Sequence, residues 1–295
     1  MATTTTSGGS GTAPGPGPVA PFTVRDGLAV YRIGQGDPVL LMPAPHRFTR
    51  PGLPETDAMI DSLLALGRQV VTFDPPGSGH STRPARLSEG ELRDCADEAL
   101  TACGIDVPID AIGYSMAGLV LLGYALDRPT RVARLVLVGT GTGGNAYMKA
   151  PGALWNRSHP DFAGLAALGI LHTLWPRRAT ETLLNNYIHR RSFVDRRLAT
   201  RDPLTPGDWV RRQRGNPEWH RIAKRLDYSP RLCEIAVPTL VLCGTHDPQF
   251  PVSASLQLAE GIGGARSVFF ERSGHFPFIE EPDAFWSEVR AFWQP

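Results

Sequence analysis

Short apolar runs alternate with amphipathic stretches along most of the chain. The runs have the length and composition of buried strands, and apolar positions between them recur at helical spacing. The pattern predicts strands at residues 22–24, 28–32, 39–42, 69–73, 109–113, 132–138, 239–243 and 266–270. It predicts helices at residues 53–66, 88–103, 115–126, 253–260 and 282–293. Strands that alternate with helices indicate an α/β fold with a mostly parallel central sheet flanked by helices.

Turn and cap residues refine two of these boundaries. Asp26-Gly27 lies between the first two strands and is typical of a two-residue hairpin turn. Ser88, with Glu91 three residues later, has the form of a capping box. The second predicted helix is therefore expected to begin at Ser88, with Ser88 as its cap.

Two segments depart from the alternation. Residues 1–21 are uncharged and rich in Thr, Gly, Ser, Ala and Pro, so they are expected to form a flexible low-complexity leader. This stretch has neither the basic nor the apolar region of a signal peptide. Residues 143–232 contain no strand candidate and are helical in pattern, which predicts a helical cap, or lid, inserted into a core of residues 22–142 and 233–295.

Composition and charge exclude several classes of protein. The 295 residues are 42% hydrophobic with a formal net charge of +1, which suits a globular chain and not one that binds nucleic acid by neutralising phosphates. No apolar run reaches the roughly 18 residues of a membrane-spanning helix. The four cysteines form no CxxC pair and no zinc spacing, so neither a metal nor a disulfide is expected and the cytoplasm is the predicted location.

One predicted strand leads directly into a candidate nucleophile. The sequence Gly113-Tyr114-Ser115-Met116-Ala117 joins the strand at 109–113 to an apolar helix. This is the form of a nucleophile elbow, G-x-S-x-G, with Ala at the last position. Small residues two positions before and two positions after Ser115 let strand and helix approach closely, and the helix N-terminus offers N–H groups to an oxyanion.

A base and an orienting carboxylate follow later in the chain. A serine hydroxyl needs a base, and the base needs a group that fixes its tautomer. Asp247 comes after the strand at 239–243, and His275 comes after the strand at 266–270. We therefore predict a Ser115–His275–Asp247 triad at the carboxyl edge of the sheet, where open α/β sheets bind ligands. His246 adjoins Asp247, but adjacent side chains point apart.

These motifs together resemble those of the α/β-hydrolase superfamily, in the branch of serine hydrolases with a helical cap. The resemblance extends from residue 22 to residue 293. It includes the turn at 74–81, DPPGSGHS, which is similar to the family's D-x-x-G-x-G-x-S, and the loop at 274–282, GHFPFIEEP, which is similar to its catalytic-histidine loop. Ser115 separates the chain from relatives with an aspartate nucleophile. The cap placement and the C-terminal segment are most similar to those of esterases, proline iminopeptidases and related serine hydrolases, which share these motifs too widely for them to identify a substrate.

The resemblance also implies an oxyanion hole after the strand at 39–42. Members of the family usually have His-Gly there, whereas this chain has Met42-Pro43-Ala44-Pro45-His46. Proline has no N–H, so Ala44 is the expected first donor, and the N–H of Met116 is the expected second. His46 is either a further donor near the mouth of the site or, more simply, a surface loop histidine. His80, in the turn at 74–81, is expected to orient loops.

The predicted lid offers candidates for substrate binding. Its aromatic residues are Trp155, Trp175, Trp209, Trp219, Phe162, Phe193, Tyr187 and Tyr228. Some must pack the lid on the core, and we single out Trp155, Trp175 and Tyr187 as candidates to line a substrate pocket. Residues 151–232 carry 15 Lys and Arg but only 7 Asp and Glu, which suits an anionic substrate or a solvated face and argues against an aminopeptidase.

The sequence therefore predicts an enzyme that needs no cofactor and acts on a small molecule. The main hypothesis is a serine hydrolase of a carboxylic ester, lactone or thioester that works through an acyl-enzyme intermediate. The alternative is a lyase, C–C bond hydrolase or acyltransferase that uses the same triad. A non-catalytic binding protein on this fold is the third hypothesis, although no triad member is missing. The acyl and leaving groups and the oligomeric state remain open.

Overall fold

An eight-stranded sheet forms the centre of the computed structural model, which describes residues 19–45, 49, 54–86, 88, 90–199, 221–222 and 224–294. The strands are β1 (Thr23–Arg25), β2 (Leu28–Ile33), β3 (Asp37–Leu41), β4 (Arg68–Phe73), β5 (Ile109–Tyr114), β6 (Val132–Val138), β7 (Thr239–Gly244) and β8 (Arg266–Phe270). Their order is β1-β2-β4-β3-β5-β6-β7-β8. All pairs are parallel except β1 with β2 and β2 with β4. The predicted α/β fold with a mostly parallel sheet is confirmed.

The turn between β1 and β2 has the conformation that its two residues favour. Asp26 has a φ of 46° and Gly27 a φ of 75°, so both lie in the left-handed region that a type I′ hairpin turn requires. A Cβ on Gly27 would lie 2.8 Å from the backbone nitrogen of Arg83. The predicted hairpin is therefore present, and the glycine is needed for space as well as for conformation.

Helices cover both faces of the sheet. The described helices, including those of the segment between β6 and β7, are α1 (Pro54–Ala65), α2 (Glu91–Ala102), α3 (Met116–Asp127), α4 (Ala146–Lys149), α5 (Phe162–Leu174), α6 (Arg178–Arg191), α7 (Val252–Gly261), α8 (Pro277–Glu280) and α9 (Pro282–Trp293), with a 3₁₀ turn at Ser229–Glu234. α2, α3 and α7 pack on one face, and α1 and α9 pack on the other. Neighbouring strand residues such as Val70 and Val71 belong to opposite cores because strand side chains alternate between faces. None of the described helices is both long and apolar enough to cross a bilayer.

The predicted start of α2 is wrong. The helix begins at Glu91, its N-cap is Gly90 in a helical conformation, and no side chain caps it. A capping box would require the Glu91 carboxylate to bind back to Ser88. Instead, Glu91 Oε1 accepts a 2.7 Å hydrogen bond from the backbone N–H of Arg86 and is buried. This interaction with the preceding loop replaces the local cap that the sequence rule expected.

The segment inserted between β6 and β7 is helical over its described part, which contains α4, α5 and α6. Its two ends meet at an antiparallel bridge between Gly143 and Asp227, and the N–H of Tyr228 donates to the oxygen of Thr142 at 2.8 Å. Gly143 has a φ of 98°, and a Cβ there would lie 2.4 Å from the oxygen of Leu226. The bridge coincides with the predicted start of the insertion. Its role as a lid stays a prediction, and Trp209 and Trp219 lie outside the described residues, as do residues 1–18 of the predicted leader.

Candidate active site

Ser115 occupies the sharp turn between β5 and α3. It has a φ of 55°, a conformation that costs a non-glycine residue roughly 1–3 kcal/mol. The turn is tight because a Cβ on Gly113 would lie 2.8 Å from the oxygen of Ala117 and 2.9 Å from the Cα of Gly118. The backbone N–H of Ser115 donates to the oxygen of Val138 at 2.8 Å, which fixes the turn to β6. A larger residue at position 113 would clash with the first turn of α3, so the glycine there allows Ser115 to be held at this turn.

A continuous chain of hydrogen bonds links the three predicted triad residues. His275 Nε2 lies 3.0 Å from Ser115 Oγ, and His275 Nδ1 lies 2.7 Å from Asp247 Oδ2. His275 and Asp247 are only 1% and 3% exposed. The carboxylate acceptor at Nδ1 fixes the proton there, so Nε2 presents its lone pair to the serine hydroxyl. This arrangement can act as a nucleophile and general base.

The carboxylate of Asp247 is itself held in place. Its Oδ1 accepts hydrogen bonds of 2.8 Å and 2.9 Å from the backbone N–H groups of Gln249 and Phe250. The other carboxylate oxygen, Oδ2, is therefore available to bind His275. His246, the neighbouring histidine, is exposed, as expected for a residue that does not serve as the base.

The two predicted oxyanion donors, the N–H groups of Ala44 and Met116, have no backbone acceptor among the described residues. Met116 is the first residue of α3, so its N–H has no acceptor within the helix. Ala44 follows β3 and is 2% exposed, and its N–H has no acceptor among the described residues. The N–H of Met42 instead donates to Ile112 at 3.0 Å and continues the sheet. Pro43 and Pro45 have no N–H to offer, and His46 lies outside the described residues.

The turn at 74–81 supports the loop that follows β3. Asp74 is fully buried and accepts hydrogen bonds from the hydroxyl of Tyr31 at 2.6 Å, the N–H of Thr49 at 2.6 Å and the N–H of His80 at 2.8 Å. Gly79 has a φ of 51°, and a Cβ there would lie 2.1 Å from Asp74 Oδ2. Asp74 therefore connects the turn and Thr49 to strand β2 through Tyr31.

A small cavity beside Ala44 has an uncharged lining among the described residues. The lining consists of Leu41, Met42, Pro43, Ala44, Thr49, Thr56, Met59, Thr72, Phe73, Tyr114 and Ala117. Tyr114 and Ala117 flank the nucleophile, and the Tyr114 ring lies 4.9 Å from the ring of His275. Sequence reasoning assigned no role to Tyr114 or Met59. Tyr114 occupies a variable position of the elbow motif, and Met59 has the ordinary pattern of a buried helical residue.

The three lid candidates occupy different environments. Trp155 is half-buried, and Trp175, directly after α5, is 54% exposed. Tyr187 packs within the insertion, where its hydroxyl donates to the oxygen of Asp161 at 2.8 Å and its ring lies 3.3 Å from the guanidinium carbon of Arg191. Their role in substrate binding stays a prediction.

A short segment after α6 contacts both loops that carry the triad. The oxygen of Ser192 accepts a 2.7 Å hydrogen bond from the N–H of His275, and Phe193 stacks on Phe276 with ring centroids 4.3 Å apart. Glu280 binds the same segment from the histidine loop. The sequence identifies Phe193 only as a lid aromatic and Glu280 only as part of the histidine loop, because these contacts join segments that lie far apart in the chain. Among the described residues, no group of three or more His, Cys, Asp or Glu is placed to hold a metal ion.

Comparison with known proteins agrees with the fold and with a hydrolase of this fold. The sequence model described as alpha/beta hydrolase fold matches residues 51–282. A 2-hydroxy-6-oxononadienedioate/2-hydroxy-6-oxononatrienedioate hydrolase of Klebsiella pneumoniae is 30% identical over 241 residues, which cover 77% of this chain and 76% of that protein.

Solved structures share the same architecture. An alpha/beta fold family hydrolase from Bacillus anthracis superposes with a TM-score of 0.73 at 19% identity and covers 90% of this chain and 95% of that one. A meta-cleavage product hydrolase from Pseudomonas fluorescens superposes with a TM-score of 0.69 at 22% identity, with 90% and 93% covered. At these identities the superpositions show the fold alone, whereas the family match covers most of the sequence. The chain therefore belongs to the alpha/beta hydrolase fold family and is a hydrolase of that family.

Proposed function

We propose that this hydrolase cleaves a carbon–carbon bond next to a ketone, through an acyl-enzyme formed on Ser115. The observation that carries the proposal is the hydrogen-bonded chain from Ser115 through His275 to Asp247. The relative from Klebsiella pneumoniae supports the choice of bond. Its named substrate has a ketone at carbon 6 and no ester, so its hydrolysis must break a bond between carbons. Among the hypotheses from the sequence, the C–C bond hydrolase is thus better supported than the ester hydrolase.

The triad performs the first half of such a reaction. Ser115 Oγ attacks the ketone carbon while His275 Nε2 takes the hydroxyl proton, and Asp247 stabilises the imidazolium. The new oxyanion accepts hydrogen bonds from the N–H groups of Ala44 and Met116. The carbon–carbon bond then breaks, its electron pair leaves with the departing fragment, and that fragment takes the proton from His275. An acyl group remains on Ser115.

Water completes the cycle. His275 removes a proton from a water molecule, which attacks the acyl carbonyl through the same oxyanion site. The Ser115 oxygen leaves with the proton from His275, and a carboxylic acid is released. A carbon fragment is a poor leaving group unless conjugation spreads its charge. In a 2-hydroxy-6-oxo-dienoate the enol proton must therefore first move from the 2-hydroxyl oxygen to carbon 5, so that cleavage between carbons 5 and 6 releases a conjugated dienolate. The substrate we propose is therefore a small 2-hydroxy-6-oxo-dienoate.

Hydrolysis of a carboxylic ester, lactone or thioester is a second candidate function, and one observation favours it. The described lining of the cavity beside Ala44 has no charged side chain. An uncharged acyl group fits this cavity better than a carboxylate-bearing one, since an unpaired charge is costly to bury. The same residues would act in the same roles on either substrate.

The cytoplasm remains the proposed location. All four cysteines are free thiols in the structure, and three of them are buried. This suits a reducing compartment but does not identify one.

Substrate comparison distinguishes the two functions. The measurement is kcat/KM for 2-hydroxy-6-oxo-dienoates, followed by loss of their conjugated absorbance, and for p-nitrophenyl butyrate. The ketones are prepared with either an alkyl or a carboxyalkyl group beside the carbonyl. We expect cleavage of the ketones with the larger kcat/KM, and loss of this activity in Ser115→Ala. Turnover of the ester alone would establish the second candidate instead.

Two further measurements address the remaining hypotheses. In ¹⁸O-labelled water a hydrolase places label in the acid product, whereas an acyltransferase or a lyase does not. A fluorophosphonate probe should label Ser115 of the wild-type protein. Absence of both labelling and turnover would support a non-catalytic binding protein.

A further inference from the structure

Glu280 joins the histidine loop to the segment that follows α6. One carboxylate oxygen accepts hydrogen bonds from the backbone N–H groups of Val194 at 2.7 Å and Asp195 at 3.0 Å. The other accepts a 2.7 Å hydrogen bond from the N–H of Gly274, the residue before His275. Glu280 thus binds three backbone donors on two parts of the chain that are more than 70 residues apart in sequence.

The same segment contacts the backbone at His275 itself. The oxygen of Ser192 accepts the N–H of His275 at 2.7 Å, so the consecutive N–H groups of Gly274 and His275 are held by Glu280 and Ser192. The approach is close, because a Cβ on Gly274 would lie 2.2 Å from the oxygen of Ser192. Ser192 Oγ also accepts a 2.9 Å hydrogen bond from the side-chain amide of Gln249, in the loop of Asp247.

The ionised form of the Glu280 carboxyl group is disfavoured by its surroundings in the folded protein. Burial raises the pKa of the Glu280 carboxyl and the nearby charge of Asp195 adds to the increase, although the three backbone N–H donors oppose it. A raised carboxyl pKa means that the folded protein binds the proton more tightly than the unfolded chain, so ionisation at neutral pH reduces stability.

The adjacent carboxylate has different partners. Glu281 accepts hydrogen bonds from the N–H of Arg272 at 2.9 Å and the hydroxyl of Ser273 at 2.6 Å, both on the part of the loop before Gly274. It has no described hydrogen bond to the segment after α6. Of the two glutamates, Glu280 is therefore the one that connects the insertion to the residues next to the base.

We propose that Glu280 is a positioning residue, which holds the segment 192–195 against the histidine loop and thereby sets His275 Nε2 at hydrogen-bonding distance from Ser115 Oγ. The inference rests on the proposed function only in taking Ser115 as the nucleophile. It does not depend on which bond is cleaved. Without the carboxylate, the peptide groups at Gly274 and His275 lose one of their two fixed contacts, and the imidazole is held less well for proton transfer.

The test is Glu280→Gln with p-nitrophenyl butyrate as the substrate, normalised to active sites by fluorophosphonate titration. The amide keeps one acceptor but turns an N–H₂ group toward a backbone donor. We expect kcat per labelled site to fall about 10- to 100-fold, the effect of misplacing a catalytic group by a fraction of an ångström to one ångström. KM should stay within twofold, because Glu280 does not touch substrate.

Glu288→Gln is the matched control. Glu288 lies on α9 and pairs with Arg266 at 2.8 Å, so its substitution removes an equal charge away from the triad, and kcat should not change. Glu280→Asp keeps the charge but withdraws the carboxylate by one methylene, and it serves if the glutamine variant does not fold. Wild-type kcat per labelled site in the variant that folds would overturn the proposal. Failure of the wild-type protein to react with the probe would instead count against the proposed function.

Discussion

The glycine at the start of α3 lies directly against Thr140. A Cβ on Gly118 would come within 2.7 Å of Thr140 Cγ2 and 2.8 Å of its Cβ. Thr140 follows β6, is 1% exposed, and has a β-branched side chain that cannot rotate both heavy atoms away. The contact determines how closely the helix after Ser115 approaches the neighbouring strand.

Gly118→Ala should therefore destabilise the protein although alanine is the better helix former. We expect the free energy of unfolding to fall by about 1–3 kcal/mol, the usual cost of overpacking a dense core. Urea denaturation followed by circular dichroism measures the change. Turnover should fall too, since the first turn of α3 carries the N–H of Met116.

Gly169→Ala is the control for this prediction. Gly169 is also within a helix, α5, but a Cβ there would have no heavy atom within 4 Å. Its substitution should leave stability unchanged or raise it by up to about 1 kcal/mol through helix propensity. Equal effects of the two substitutions would show that contact with Thr140 does not matter.

Substitution of Asp247 by asparagine tests the orientation of the base. The amide has nearly the same shape and can still accept hydrogen bonds from Gln249 and Phe250 through its oxygen. Its N–H₂ group then faces His275 Nδ1, which favours the tautomer with the proton on Nε2. We expect kcat to fall on the order of 10³- to 10⁴-fold with little change in KM.

His246→Ala provides the comparison for Asp247→Asn. His246 adjoins Asp247 and is exposed, so its loss should leave kcat within twofold. A large loss in His246→Ala together with a small one in Asp247→Asn would reverse the assignment of the two neighbours. Both values come from steady-state hydrolysis of p-nitrophenyl butyrate.

A proline in place of Ala44 tests the oxyanion donor. The substitution removes the N–H, and the expected loss in kcat is on the order of 10²- to 10³-fold, as for other single oxyanion donors. Ala44→Gly keeps the N–H in the same segment and should retain most of the activity. If kcat falls as much in the glycine variant as in the proline variant, the packing of the buried Ala44 methyl group is what matters, and the N–H of residue 44 is not needed.

The order of the secondary structure and the places of the candidate triad residues in it could be predicted from the sequence because both depend on short-range rules. Buried parallel strands are apolar runs, and each candidate catalytic residue directly follows such a run. Ser115, Asp247 and His275 come together because parallel strands end at the same edge of the sheet. The geometry of 2.7 Å and 3.0 Å between their side chains is consistent with that expectation.

Interactions between distant segments could not be predicted in this way. The sequence identifies Glu280 only as part of the histidine loop, because its partners Val194 and Asp195 lie in a stretch without periodicity. The hydrogen bond to Val194 spans 86 residues. The error at Ser88 has a similar origin, because the rule for capping considers only neighbours while Glu91 binds the preceding loop.

The four cysteines should differ sharply in reactivity toward Ellman's reagent. Cys233 is exposed, whereas Cys95, Cys103 and Cys243 are buried. Burial raises the pKa of the Cys95 thiol to about 12, and it also raises the pKa values of Cys103 and Cys243. The thiolate is the reactive form, so at pH 8 the three buried thiols are protonated as well as inaccessible. We expect one thiol to react rapidly in the native protein and all four after denaturation.

Cys233→Ser should remove the rapid phase and leave hydrolysis of p-nitrophenyl butyrate unchanged, because Cys233 lies in the 3₁₀ turn before β7 and not beside the triad. A second rapid thiol in native wild-type protein would mean that one of the two cores opens on the timescale of the reaction.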